Sequence, residues 1–259
     1  MRIALVSFEP EQGDILSNLE KCRDILGKIH EMQVDLCVFP ETTLTGFSFP
    51  NEDLVESSEN SLALSFFSSE AKRRRISVIF GLFLNDQNKT YNSAFAFNKS
   101  GELILRYDKI HLFSPGGENK YNVAGNSPTI GKLEDVKFGL TICYDLRFPE
   151  LFTSLGLTSK VIVNIANWPS KRESHWLYLL KARAIENQVF IIGVNRSGHD
   201  STGEFYAGNS LIFDPWGEEV VPESRDGIVS IFSIDIGQVK KIRSFFPVSQ
   251  DRRFKISLS

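Results

Sequence analysis

Lys137-Phe138-Gly139-Leu140-Thr141-Ile142-Cys143-Tyr144-Asp145-Leu146-Arg147-Phe148-Pro149-Glu150 is an apolar run that stops at a cysteine and turns polar within two residues. Phe138 to Ile142 has the length and β-branched character of a buried strand, and Asp145, Arg147 and Pro149 fit a turn into the first turn of a helix. A thiol at that junction sits where strand carboxyl ends open into a crevice, and a following helix start favours the thiolate. The opposing reading is that a free cysteine is a small buried hydrophobe. The surrounding chain has to decide between them.

Working outward, similar strand ends recur. Val34 to Phe39 is a strand that breaks at Pro40-Glu41-Thr42, Leu103 to Ile110 is a strand carrying Lys109, and Lys160 to Ala166 is a strand ending in Asn167-Trp168-Pro169. Ile3 to Phe8, Ile76 to Leu84, Tyr91 to Phe97, Val189 to Asn195, Tyr206 to Phe213 and Ile228 to Ile236 complete the strands, the last followed by a tail. Glu218 to Val221 is expected to close a hairpin with the strand before it, through a turn at Asp214-Pro215-Trp216-Gly217.

Between the strands lie helical patterns. Asp14 is placed to cap a helix whose apolar positions Ile15, Leu19, Cys22, Leu26 and Ile29 step by four and three. Ser61 to Arg75, Pro149 to Leu157 and Arg172 to Asn187 read as further helices, and the basic run Lys72-Arg73-Arg74-Arg75 suits a helix C-terminus. Cys22 falls on a helical stripe and Cys37 inside a strand, so both read as core. The polar segment from Ser114 to Pro128 is too long for a hairpin loop and reads as a site loop.

Two segments echo each other. A strand, a helix, a strand, then Tyr91-Asn92-Ser93-Ala94-Phe95-Ala96-Phe97 and a turn at Gly101-Glu102 match a strand, a helix, a strand, then Tyr206-Ala207-Gly208-Asn209-Ser210-Leu211-Ile212-Phe213 and a turn at Gly217-Glu218. Two β-α-β-β copies predict an α/β fold with an internal pseudo-two-fold, a four-layer α-β-β-α sandwich.

Composition excludes several classes. With 259 residues, a net charge of -3 and basic residues scattered among acidic ones, the chain offers no nucleic-acid or membrane surface. Its three cysteines are odd in number and lack metal-ligand spacing, so neither a disulfide framework nor a metal site is expected and a reducing compartment is. No secretory signal is visible, and no apolar run approaches the roughly 18 residues that span a bilayer. The expectation is a cytoplasmic protein.

Glu41, Lys109 and Cys143 each end a strand-like run, the arrangement that gathers reactive groups at one sheet edge. A cysteine nucleophile needs a base. His30 and His175 fall in helix patterns and His199 in a loop, which leaves only His111 beside a candidate site. A desolvated carboxylate can serve instead, and Glu41 is placed for it. When sulfur adds to an amide carbonyl, charge develops on oxygen; Lys109 and the backbone N–H after the nucleophile, that of Tyr144, would stabilise it. Glu41 could then protonate departing ammonia and activate the water that hydrolyses the thioester.

Phe39-Pro40-Glu41-Thr42, Tyr107-Asp108-Lys109-Ile110-His111-Leu112-Phe113 and Ile142-Cys143-Tyr144-Asp145-Leu146-Arg147-Phe148-Pro149, in that order, resemble the three signature segments of the nitrilase superfamily of carbon-nitrogen hydrolases. The resemblance covers nearly the whole chain, a single domain over 1–259. Ala166-Asn167-Trp168-Pro169 and Lys181-Ala182-Arg183-Ala184-Ile185-Glu186-Asn187-Gln188 look most like the ω-amidase branch, which deamidates 2-oxoglutaramate and 2-oxosuccinamate. It implies an α-β-β-α fold, a Glu41-Lys109-Cys143 triad, no metal or other cofactor, and a homodimer or larger assembly. It also implies a second glutamate, for which Glu118 in the Ser114 to Pro128 loop is the best match.

Other residues carry competing readings. Arg147 could meet a substrate carboxylate but reads first as an ion pair with Asp145 or Glu150. Trp168 and Tyr144 could wall a pocket or pack in the core, and His111 reads as a supporting residue near Glu41. Sibling reactions on deaminated glutathione, a carbamoyl compound or a nitrile stay open. So do a histidine-assisted hydrolase and a catalytically silent scaffold.

Overall fold

The computed structural model describes residues 1–48 and 54–254. The first half runs β1 (Arg2–Val6), α1 (Ile15–Glu31), β2 (Leu36–Val38), β3 (Glu56–Ser57), α2 (Leu62–Arg74), β4 (Ser77–Asp86), β5 (Lys89–Phe97) and β6 (Leu103–Asp108). The second runs β7 (Ile130–Leu133), β8 (Val136–Ile142), α3 (Pro149–Gly156), β9 (Val161–Ala166), α4 (Glu173–Asn187), β10 (Phe190–Asn195), β11 (Ser197–His199), β12 (Phe205–Ala207), β13 (Leu211–Phe213), β14 (Ser224–Asp226), β15 (Val229–Ser233) and α5 (Gly237–Phe245).

The caps form where the sequence places them. Asp14 accepts the Ser17 N–H at 3.0 Å and Ser61 accepts the Leu64 N–H at 3.0 Å, each satisfying an otherwise orphaned donor of the first turn. Lys72, Arg73 and Arg74 occupy the last turn of α2, and Arg75 follows in the left-handed conformation.

The strands form two main sheets. In the first, the order is β14-β15-β1-β2-β4-β5-β6, with β3 against β4; in the second it is β13-β10-β9-β8-β7. Each centres on three parallel strands, β1-β2-β4 and β8-β9-β10, flanked on both sides by antiparallel ones. That correspondence is the pseudo-two-fold, and it makes the ends of β2 and β9 counterparts.

Residue alternation explains the layers. Ile3, Leu5, Leu36, Val38 and Ile79 face the core shared with the second sheet, while Ala4, Val6, Cys37, Val78 and Phe80 face the cluster under α1 and α2. A strand apolar on both faces must be covered on both. Cys22 and Cys37 lie fully buried in the α1–α2 cluster. On the other side α3 and α4 cover the second sheet, and α4 comes so close that a Cβ on Gly193 would meet Leu180 at 2.4 Å. The result is the expected α-β-β-α sandwich.

Three local expectations change. The Tyr206 to Phe213 strand is split: β12 pairs with β11 in a separate two-stranded ribbon, because Gly208 (φ +80°) and Asn209 (φ 45°) turn the chain before β13. Beyond it, the Glu218 to Val221 hairpin shrinks to one bridge, Phe213 to Glu219. The tail after β15 contains helix α5, whose Arg243 donates to Gly156 O at 2.8 Å and Asn187 O at 3.0 Å, satisfying carbonyls at the ends of α3 and α4.

Candidate active site

Glu41 follows β2 through Phe39-Pro40 and enters a tight turn in which Thr42 has φ 45°. The turn lies so close to β4 that a Cβ on Gly81 would meet Glu41 Cα, Thr42 N and Ile165 Cδ1, each at 2.9 Å. Only glycine admits this approach. Lys109 directly follows β6, its N–H on Asn92 O and its own carbonyl accepting the Gly125 N–H, both at 2.9 Å. Glu118 opens the second of two short 3₁₀ turns, Ser114–Gly116 and Glu118–Lys120, inside the Ser114 to Pro128 loop.

Cys143 leaves β8 with φ 45°, a strained value for a non-glycine residue, as the first residue of the 3₁₀ turn Cys143–Arg147. Buried Asp145 fixes that turn by accepting the Ile142 N–H at 2.9 Å, the Tyr107 hydroxyl at 2.7 Å and the His111 N–H at 3.0 Å. His111 Nδ1 lies 2.8 Å from the same carboxylate, and its ring stacks on Phe148 with centroids 3.7 Å apart. His111 therefore supports the cysteine turn through Asp145 and makes no bond to Glu41.

The first sheet contributes a wholly buried charge cluster. Lys109 Nζ donates to Glu41 Oε1 and Glu118 Oε2, both at 2.9 Å. The Asn92 amide donates to Oε1 of each glutamate at 2.7 Å, and the Phe113 N–H reaches Glu118 Oε2 at 2.6 Å. From the second sheet, Asn167 donates to Glu41 Oε2 through its backbone N–H at 2.8 Å and its side chain at 3.1 Å. Asn167 O is also the acceptor for the Cys143 thiol, at 3.7 Å. Asn167 thus touches both the Glu41 carboxylate and the sulfur.

The electrostatics follow from this packing. Burial opposes the charge on Lys109, but the Glu118 and Glu41 carboxylates outweigh it and hold the ammonium above the ordinary lysine range. For Cys143, burial and then the Glu41 charge push the thiol well up, with Lys109 pulling the other way. This corrects the expectation of a thiolate favoured by the helix start. The surroundings favour the thiol over the thiolate.

Cys143 opens onto a cleft whose walls include Phe47, Phe113, Tyr144, Trp168 and Tyr206. Arg147 and Arg172 also line it. Arg147 does not take the expected ion pair: Asp145 is committed to the cysteine turn, and among the described residues no carboxylate meets the guanidinium. Instead it lies 4.9 Å from the Trp168 ring centre and donates to His175 Nδ1 at 3.2 Å. Arg172 lies 5.7 Å from the centre of the Phe113 ring.

The sequence reading overlooked Asn92, the Asn167 side chain, Arg172 and the anchoring part of Asp145. One signal was available for Asn92: a polar residue at a position of an alternating strand that has to be buried.

A site of this geometry in an α-β-β-α sandwich is that of a carbon-nitrogen hydrolase, and residues 2–244 match the carbon-nitrogen hydrolase family model. The chain belongs to that family, the nitrilase superfamily, and is a hydrolase acting on carbon-nitrogen bonds. It is 33% identical to the 2-oxoglutaramate amidase of Bacillus subtilis over 97% of both chains. It is 34% identical to omega-amidase YafV of Yersinia enterocolitica over 79% of this chain and 78% of that one. Among solved structures, XC1258 of Xanthomonas campestris, a CN-hydrolase superfamily protein with an arsenic adduct in its active site, matches with a TM-score of 0.90 at 29% identity, covering 99% of this chain and 98% of that one.

Proposed function

We propose that the protein is an ω-amidase that hydrolyses a small carboxylate-bearing amide, 2-oxoglutaramate or 2-oxosuccinamate, to the acid and ammonia. The observation that carries the substrate class is the pair of guanidiniums, Arg147 and Arg172, on the cleft that holds Cys143, neither with a carboxylate partner among the described residues. A cation already held against an aromatic face loses little freedom on meeting a substrate carboxylate bidentately. The names of the two amidases above support the same reading.

In this mechanism Cys143 is the nucleophile. Its thiol proton passes to Glu41 as sulfur bonds to the amide carbon, so charge moves to the substrate oxygen. Two of the three Lys109 N–H bonds are committed to Glu41 and Glu118, which leaves one for that oxygen beside the Tyr144 N–H at the start of the 3₁₀ turn. Collapse breaks the carbon-nitrogen bond while Glu41 protonates the departing ammonia. Glu41 then takes a proton from water, which attacks the thioester and returns Cys143 as thiol. Glu118 holds the lysine, Trp168 and Tyr144 wall the substrate, and His111 steadies the cysteine turn. No cofactor takes part.

The test is ammonia release across paired substrates, each ω-amide acid beside its methyl ester. The acids should turn over with a kcat/KM at least tenfold higher, and Arg147→Met should raise KM for the acids by about 10- to 100-fold, the range for a charge-assisted hydrogen bond, while leaving the esters unchanged. Equal turnover of acid and ester would refute the substrate class.

The working unit in this reading is one domain over 1–259, acting in the reducing cytoplasm, which its three free cysteines support. None of the described helices is long and apolar enough to cross a membrane. Its assembly is a homodimer, supported by exposed Ile185 on α4, Trp216, and Phe245 and Phe246 at the end of α5, with both phenylalanines in ring contact with Trp216. Light scattering should give twice the chain mass for the native protein and the single-chain mass for Phe245→Glu; a native monomer rejects the dimer.

A further inference from the structure

One uncharged side chain touches both glutamates. Asn92 lies on β5 opposite Phe83 of β4 and is fully buried. Its Nδ2 spends both hydrogens on carboxylates, Glu41 Oε1 and Glu118 Oε1, each at 2.7 Å. Among the described residues its Oδ1 meets no donor.

That imbalance is informative. A buried amide oxygen without a partner is a standing cost, and a leucine here would fill the space without one. Turning the amide over would aim Oδ1 at two carboxylates, so the orientation is forced. What the residue contributes is its pair of donors.

The charges around it explain the need. Glu41, Glu118 and Lys109 form a sealed group of two anions and one cation, with the Cys143 thiol beside it. On β6, Asp108 is turned towards Ser93 and Arg106, and the β4 partner Phe83 is apolar. Asn167 donates to Glu41 alone and the Phe113 N–H to Glu118 alone, so among the described residues Lys109 is the one cation that bridges the two like charges. Deprived of a second bridging donor, two buried carboxylates relieve their repulsion by taking up a proton between them, and a Glu41 that shares a proton cannot receive the one from the thiol.

We propose that Asn92 is a positioning residue: its amide is the second clasp that keeps Glu41 and Glu118 apart as two anions, and so keeps Glu41 able to act as a base. This rests on the reading of Glu41 as the base for Cys143.

The test compares pH profiles of kcat with the pH dependence of Cys143 alkylation by iodoacetamide, which needs no substrate. Asn92→Leu should lower kcat about 100-fold, the low end of general-base effects, with KM changed less than about threefold. A base works only when unprotonated, so the acid limb of both profiles should move up by one pH unit or more. Adding Glu118→Gln, which removes one of the two like charges, should move the alkylation limb back towards the native position. An unmoved limb, or a loss carried by KM, overturns the proposal. Should Asn92→Leu not fold, Asn92→Ala, which removes both donors without adding bulk or charge, carries the test: its limb must also rise, and an unmoved one overturns the proposal. Failure of the underlying reading is separate: native protein whose alkylation is insensitive to Glu41→Gln would show that Glu41 is not the base, whatever Asn92 does.

Discussion

Replacing Cys143 with alanine gives a protein that folds and releases no measurable ammonia, with kcat reduced by a factor on the order of 10⁴ or more, as when the nucleophile of a covalent hydrolase is removed. The fold should survive because, among the described residues, the sulfur makes only one long hydrogen bond, to Asn167 O at 3.7 Å. The turn that presents it is held by Asp145 through Ile142, Tyr107 and His111, none of which is altered. Alanine carries the same Cβ as cysteine, so the strained φ of 45° adds no new backbone penalty. The check is ammonia release beside thermal melting: lost turnover with a melting temperature within a few degrees of native is expected, and retained turnover would remove cysteine from the mechanism.

Lys109→Met should damage both activity and stability. It takes away the donor assigned to the developing oxyanion, a loss of about 10²- to 10³-fold in kcat, and leaves Glu41 and Glu118 buried without their shared cation. Breaking a buried ionic group by removing one partner costs about 3–5 kcal/mol, so the melting temperature should fall visibly. The pH dependence gives the sign. In the native protein the raised lysine value means that its contribution is fully present below about pH 10.4 and fades only as pH climbs through the higher value held in the fold. In Lys109→Met the uncompensated carboxylates reverse the trend, because acid neutralises them: the variant should be more stable at pH 5 than at pH 8. A variant as stable as native at pH 8 would show that the cluster contributes nothing to the fold.

What could be read in advance was what short-range pattern encodes. β8 and β9 are buried on both faces and so appear as apolar runs, α1 announces itself through Asp14 and the stripe from Leu19 to Ile29, and Glu41, Lys109 and Cys143 stand where such runs end. What escaped depends on partners far along the chain. Arg147 has two acids close in sequence, yet Asp145 is drawn to Tyr107 and His111 and the arginine turns to Trp168. The thiol's preference for its proton comes from burial and from Glu41, 102 positions earlier by number, which outweigh the local turn. Asn92 has an ordinary strand neighbourhood, and its importance appears only once two glutamates from separate loops close on it. The break in the Tyr206 strand rests on two backbone angles that hydrophobic period does not report.

Glu41, Lys109 and Asn92 ride on one sheet and Cys143 and Asn167 on the other, so how closely the two halves of the site meet is set by how the two sheets pack. Ile165 shows how little slack that packing has, since a single added methyl at Gly81 would strike it and the Glu41 backbone together. An enzyme built this way depends on two leaves keeping their spacing. Its rate is a gauge of interior packing, and whatever swells the middle of the molecule silences the chemistry while both leaves are still intact.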